Sequence, residues 1–163
     1  MKRFSAVILA AALAGCVTPV SPGVRSEYLT KVSWKGAAVR VDAADPGPVL
    51  SSTPGAREYV LNPAEWNPWF AKSLADDLRE LGAAAAEEPV VTVALEESEL
   101  EARAAGQEFW ADLTVSVRGA GIDLLVHGRD WSGDGYTEAV RRAAADALRQ
   151  IVENEDLRRA ATK

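Results

Sequence analysis

The sequence predicts an α+β fold: a small mixed or antiparallel sheet of about four to five strands, with two amphipathic helices packed on one face. Three observations carry this. Apolar residues recur at helical spacing in two stretches, 68–81 and 136–152. Between them, from 109 to 126, apolar and polar residues alternate at period two. Asn-Pro, Gly-Ala and Asp-Gly pairs punctuate these stretches where turns and caps belong.

Taken in chain order, 38–41 reads as a first strand and 59–61 as a short second one. The stretch between them, 45–56, holds three prolines and two glycines and reads as a loop. Asn62-Pro63-Ala64-Glu65 then fits an N-cap, a proline at the first helical position and an acid in the first turn. Asn67-Pro68 repeats the cap-proline pair. Because an interior proline breaks a helix, the sequence predicts one isolated turn followed by a main helix starting at Pro68. Phe70, Leu74, Leu78 and Leu81 form its apolar stripe, and Gly82 closes it.

The segment 89–95 reads as a strand, and 96–106 as an acidic, Ala-rich connection. Phe109, Ala111, Leu113, Val115 and Val117 share one face of the next strand, with Trp110, Asp112, Thr114 and Ser116 opposite. A two-residue type II′ turn at Gly119-Ala120 pairs Val117 with Ile122, Val115 with Leu124 and Leu113 with Val126. Asp134-Gly135 ends the sheet. The last helix, 136–152, gathers Val140, Ala144, Ala147, Leu148 and Ile151 on one face, whose alanines allow a close approach to the sheet.

The N-terminus speaks of location. Lys2 and Arg3 precede an apolar run, 4–14, too short for the roughly 20 residues that span a bilayer. It suits the h-region of a secretory signal. The run ends in Leu13-Ala14-Gly15-Cys16, which resembles the bacterial lipoprotein signal, the lipobox. That resemblance implies cleavage before Cys16 and acylation of its thiol, with each buried CH₂ contributing ~0.8 kcal/mol to the anchor. It also makes Val17 the sorting residue. An Asp there holds enterobacterial lipoproteins in the inner membrane, so Val17 points to the outer membrane and its periplasmic face. The expected organisation is a signal peptide (1–15), a lipid-anchored tether (16–37), one α+β domain (38–153) and a polar tail (154–163).

Cleavage removes two of the 18 basic residues and none of the 24 acidic ones, taking the net charge from −6 to −8. Such a chain is a poor partner for nucleic acid. A lone cysteine excludes an intramolecular disulfide and a Cys-rich metal site.

The hairpin register places Asp112 opposite His127, the only histidine, with Thr114 and Ser116 on the same face. An oriented imidazole is the start of a catalytic dyad. The preferred reading is a cross-strand polar pair, since no Gly-x-Ser-x-Gly motif supplies a nucleophile. The segment 130–135 superficially resembles a calcium loop, but Arg141 stands where a bidentate Glu is required. No catalytic residue, metal or cofactor beyond the lipid on Cys16 is expected. Trp66, Trp69, Trp110 and Trp131 are the candidate interface residues. Trp69 lies well off its helix's apolar stripe, so either the 45–56 segment or a partner protein is expected to cover it.

From Trp69 onward, "WFAKSLADDLRELG", "VVTVALEES", "FWADLTVSVRGAGIDLLVHG" and "YTEAVRRAAADALRQIVEN" follow the lipobox in an order similar to the YajG-like family of bacterial lipoproteins. The resemblance implies no catalytic residues. It implies an accessory or binding module of an envelope protein complex, anchored in the bilayer. The alternative is an auxiliary lipoprotein of a lipid or lipopolysaccharide transport system, with an apolar groove beside the sheet. A weak envelope hydrolase is the third reading.

Overall fold

The alternating run between 109 and 126 folds into a long hairpin, and the rest of the chain packs around it. The computed structural model describes residues 17–23, 28 and 30–162. Strand β6 (Glu108–Gly119) pairs antiparallel with β7 (Ile122–Ser132) on one side and with β5 (Val90–Arg103) on the other. Strand β2 (Arg40–Ala43) adds to β5 in parallel, completing a four-stranded sheet in the order β2-β5-β6-β7. A second sheet, of three strands, is ordered β1-β4-β3. In it β1 (Val17–Pro19) runs parallel to β4 (Glu58–Leu61), and β3 (Leu50–Ser52) runs antiparallel to it. Helices α1 (Pro63–Glu80) and α2 (Tyr136–Glu153) and the short α3 (Glu155–Ala160) complete an α+β fold.

Both long helices cover the apolar face of the larger sheet. Val91, Val93, Leu113, Val115, Val117 and Val126 meet Phe70, Leu74 and Leu78 from α1 and Val140, Ala144, Leu148 and Ile151 from α2, all buried. The alanines of α2 do permit close approach, and Gly128 on β7 completes the fit. A Cβ at Gly128 would lie 2.1 Å from the Ala143 carbonyl oxygen.

The hairpin keeps its expected faces but not its expected register. Val117 pairs with Leu124, Val115 with Val126 and Leu113 with Gly128, two residues along from the sequence reading. The turn is Ala120-Gly121, with φ of 54° and 79°, as a type I′ turn requires. Gly119 is used elsewhere: a Cβ there would sit 2.4 Å from the Val90 carbonyl oxygen on β5. The glycine serves strand packing rather than the turn.

Helix α1 is one continuous helix, not a turn followed by a helix from Pro68. Asn62 caps it, its side chain accepting the Ala64 N–H at 3.1 Å. Pro68 leaves the Ala64 carbonyl without its helical donor, but both residues lie on the exposed face, where water can serve that oxygen.

Four further expectations are corrected. The described residues of the 16–37 segment are not a free tether. Val17–Pro19 is a strand, and Val20, Trp34 and Ala37 are buried in the core. The polar tail expected at 154–163 holds helix α3, which Asn154 caps and whose Leu157 is fully buried. The 96–106 connection is mostly strand: β5 continues through Arg103 after an irregularity between Leu95 and Glu97. The loop expected at 45–56 holds β3.

Candidate functional site

The irregularity in β5 shapes a polar surface on the outer face of the sheet. Before it, Val93 and Leu95 face the core opposite Val117 and Val115. One extra residue, Glu96, then shifts the alternation by one, as a β-bulge does. Beyond it Ser98 and Leu100 pair with Leu113 and Ala111 and share their core face, while Glu97, Glu99 and Glu101 pair with Thr114, Asp112 and Trp110 on the outer face. Glu96 itself accepts the Ser116 hydroxyl at 2.6 Å and lies 2.9 Å from Arg118.

Strand β3 closes this face into a groove. The Leu100 N–H donates to Ser52 Oγ at 3.1 Å, holding β3 alongside the outer half of β5. Val49, Leu50 and Ser51 thus form a wall facing Glu97, Glu99, Asp112, Thr114 and His127 around about 560 Å³. The outer face of the hairpin is therefore concave here.

The polar trio in the groove differs from the expected pair. Asp112 lies opposite Arg129, and His127 lies opposite Thr114. Thr114 Oγ1 is 3.2 Å from His127 Nδ1, and Asp112 Oδ1 is 4.0 Å from the same nitrogen. A triad needs the carboxylate on one ring nitrogen and the hydroxyl on the other. Here both address Nδ1, so Asp112 does not orient the ring towards a nucleophile.

Further along, Trp110 lies under two guanidinium groups, Arg103 at 4.9 Å and Arg129 at 5.4 Å from its ring centroid. Its Nε1 donates to Glu108 at 3.1 Å, and its ring lies 6.3 Å from that of Trp131. Arg103 also bonds Glu101 at 2.6 Å and holds that carboxyl below its usual range. Trp131 remains 43% exposed.

The other two candidate interface tryptophans are internal. Trp66 is fully buried, and its Nε1 donates to the Val20 carbonyl at 2.9 Å. Trp69 is half-buried against Trp66 and Phe70, and its Nε1 donates to the Gly23 carbonyl at 3.1 Å. Its cover is thus the chain's own N-terminal segment, which was not among the coverings expected for it. Trp34, which the sequence reading did not single out, is fully buried and donates to the Val152 carbonyl at 3.1 Å.

The 130–135 segment is a strand-to-helix turn. Ser132 Oγ accepts the Asp134 N–H at 2.9 Å, and Asp130 accepts the Trp131 N–H at 2.7 Å. Among the described residues no three His, Cys, Asp or Glu side chains gather as a metal site. A second, more apolar groove, lined in part by Val39, Val41, Ala75 and Leu78, encloses about 150 Å³. That is below the ~300–1,000 Å³ of typical ligand pockets. Cys16 lies outside the described residues, and Val17 stands exposed at the start of β1. No helix among the described residues is long and apolar enough to cross a membrane.

No family model matches the chain. No curated protein matches it either. Among solved structures, one described only as an uncharacterized protein aligns over 83% of this chain and 94% of its own, at 11% identity and a TM-score of 0.37. A likeness at that level carries no argument.

Proposed function

We propose that this chain is an envelope lipoprotein, acylated on Cys16 and held at the periplasmic face of the outer membrane, whose α+β domain serves as a non-enzymatic binding module of an envelope protein complex. One observation carries the reading: Lys2-Arg3, an apolar run and Leu13-Ala14-Gly15-Cys16 occur in the order a lipoprotein signal requires. The resemblance to YajG-like lipoproteins supports it. The Asp112, Thr114 and His127 geometry favours a polar groove over a proton relay. Three carboxyl-bearing residues line the groove, which suits a polar partner segment better than an acyl chain and leaves the transport reading second.

Metabolic labelling tests the anchor. Wild-type protein should incorporate labelled palmitate, and Cys16→Ser should abolish incorporation and accumulate precursor. Crosslinking in intact cells tests the binding role: recovery of a defined envelope protein supports it, and recovery of lipid-transport subunits alone would move the reading to the alternative.

A further inference from the structure

The peptide bond from Cys16 leads straight into strand β1, with no spacer. Consecutive Cα atoms are ~3.8 Å apart, so a lipid on Cys16 is attached within one residue of an ordered ladder. That ladder is fixed at Val17↔Glu58 and continued by the Val20 N–H donating to Val60 at 2.8 Å. Trp66 and Trp69 then hold the Val20 and Gly23 carbonyls.

From this we infer that one particular end of the fold rests on the lipid headgroups, an inference that depends on the acylation of Cys16 proposed above. The pairings define that end. Strands β1 and β4 are parallel and start together, so the 53–57 turn joining β3 to β4 extends beyond Val17 in the direction of Cys16. The Tyr59 ring lies 4.7 Å from Tyr136 at the start of α2, and Tyr136 lies 4.9 Å from Phe109. Phe109 pairs with Ala102 on β5 and with Ser132 on β7. The tight turn Ala104–Gly106 and the Trp110–Trp131 pair therefore lie at the same end as Val17. At ~3.3 Å per residue, the Ala120-Gly121 turn stands ~36 Å away at the other end of β6.

The side chains at the near end suit a bilayer surface. Val17 and Trp131 are two of the four large hydrophobic residues exposed among those described. A half-exposed indole beside arginines is the amphipathic group that favours the headgroup layer. Both charge signs are present, with Arg57 and Arg103 beside Glu58, Glu101 and Glu108, so the contact rests on the anchor and the aromatic pair rather than on attraction to anionic lipid. The far end, with the β6–β7 turn and α3, is left facing away from the membrane.

The acylated protein, reconstituted into phosphatidylethanolamine vesicles containing a headgroup spin-labelled lipid, gives the test. Single cysteines are introduced by Ala56→Cys, Ala105→Cys and Ala120→Cys and labelled with bimane, the acylated Cys16 being unreactive. Strong quenching at positions 56 and 105 with little at 120 is expected. Equal quenching at all three positions, or quenching strongest at 120, would overturn the orientation while acylation measured by mass spectrometry still stands. Absence of acyl mass on Cys16 would overturn the anchor itself, and this inference with it.

Discussion

The side chain of Asn67 accepts the backbone N–H of Leu95 at 2.8 Å, from inside helix α1 to the last residue before the β5 bulge. Its Nδ2 also donates to the Ala44 carbonyl at 3.3 Å, just past the end of β2. One buried amide thus ties the helix to both parallel strands where their ladder stops. Asn67→Ala should cost about 1–3 kcal/mol, because it leaves the buried Leu95 N–H unsatisfied. Urea unfolding of a soluble domain beginning at Val17 measures this, and an unchanged midpoint would deny the link its structural weight.

The tryptophan pair on α1 makes a different prediction. Trp66→Ala should lower stability by about 3–5 kcal/mol, as a fully buried ring removed from a core does. Trp69→Ala should cost less and speed amide exchange in residues 17–23, whose carbonyl at Gly23 loses its donor. A Trp69→Ala domain with wild-type melting temperature and exchange would return the residue to a partner surface.

In the groove, Asp112→Asn should change stability by ~1 kcal/mol or less, since Asp112 is partly exposed and 4.0 Å from both His127 and Arg129. Assays over ester and amide substrates should detect no turnover in either protein. Wild-type hydrolysis that disappears in Asp112→Asn would restore the enzyme reading.

The free edge of the larger sheet is guarded by α2. Gln150 Nε2 donates to the His127 carbonyl at 2.7 Å, and Asp146 accepts the Arg129 N–H at 3.2 Å. These bonds occupy backbone groups that another strand would seek. The double variant Asp146→Ala, Gln150→Ala should therefore self-associate with rising concentration in sedimentation velocity, where the parent stays at its own sedimentation coefficient.

Periodicity made much of the fold legible. The stripe of Phe70, Leu74 and Leu78 and the alternation of Leu113, Val115 and Val117 name core residues correctly, because a helix or strand shows its buried face in local spacing. Register was not legible in the same way. A slip of two residues leaves every side chain on its face, and the close approach of Gly119 to Val90 belongs only to the assembled sheet. The N-terminal segment was opaque for a related reason: its prolines suggest a spacer, while its partners lie in β4 and α1, 40 or more residues away. Among the site residues, Asp112, Thr114 and His127 were found from the alternating pattern. The acids facing them depend on a bulge after Leu95 that no turn signal marks, and the β3 wall depends on three residues inside a Pro-rich stretch.

The same bulge makes strand β5 behave like a message with a reading frame. Glu96 is the single inserted character: because the bulge skips it, Ser98 and Leu100 look inward, whereas unbroken alternation from Leu95 would turn Glu97, Glu99 and Glu101 inward instead. Deleting Glu96 should thus leave the frame intact, with Leu95, Glu97 and Ser98 running opposite Val115, Thr114 and Leu113 in a regular ladder. The deletion gives up the Glu96 contacts with Ser116 and Arg118, whereas one residue inserted after Glu97 forces either Glu99 and Glu101 into the core or the loss of β5 pairing beyond it. The bulge absorbs one residue and so sets the phase of everything after it.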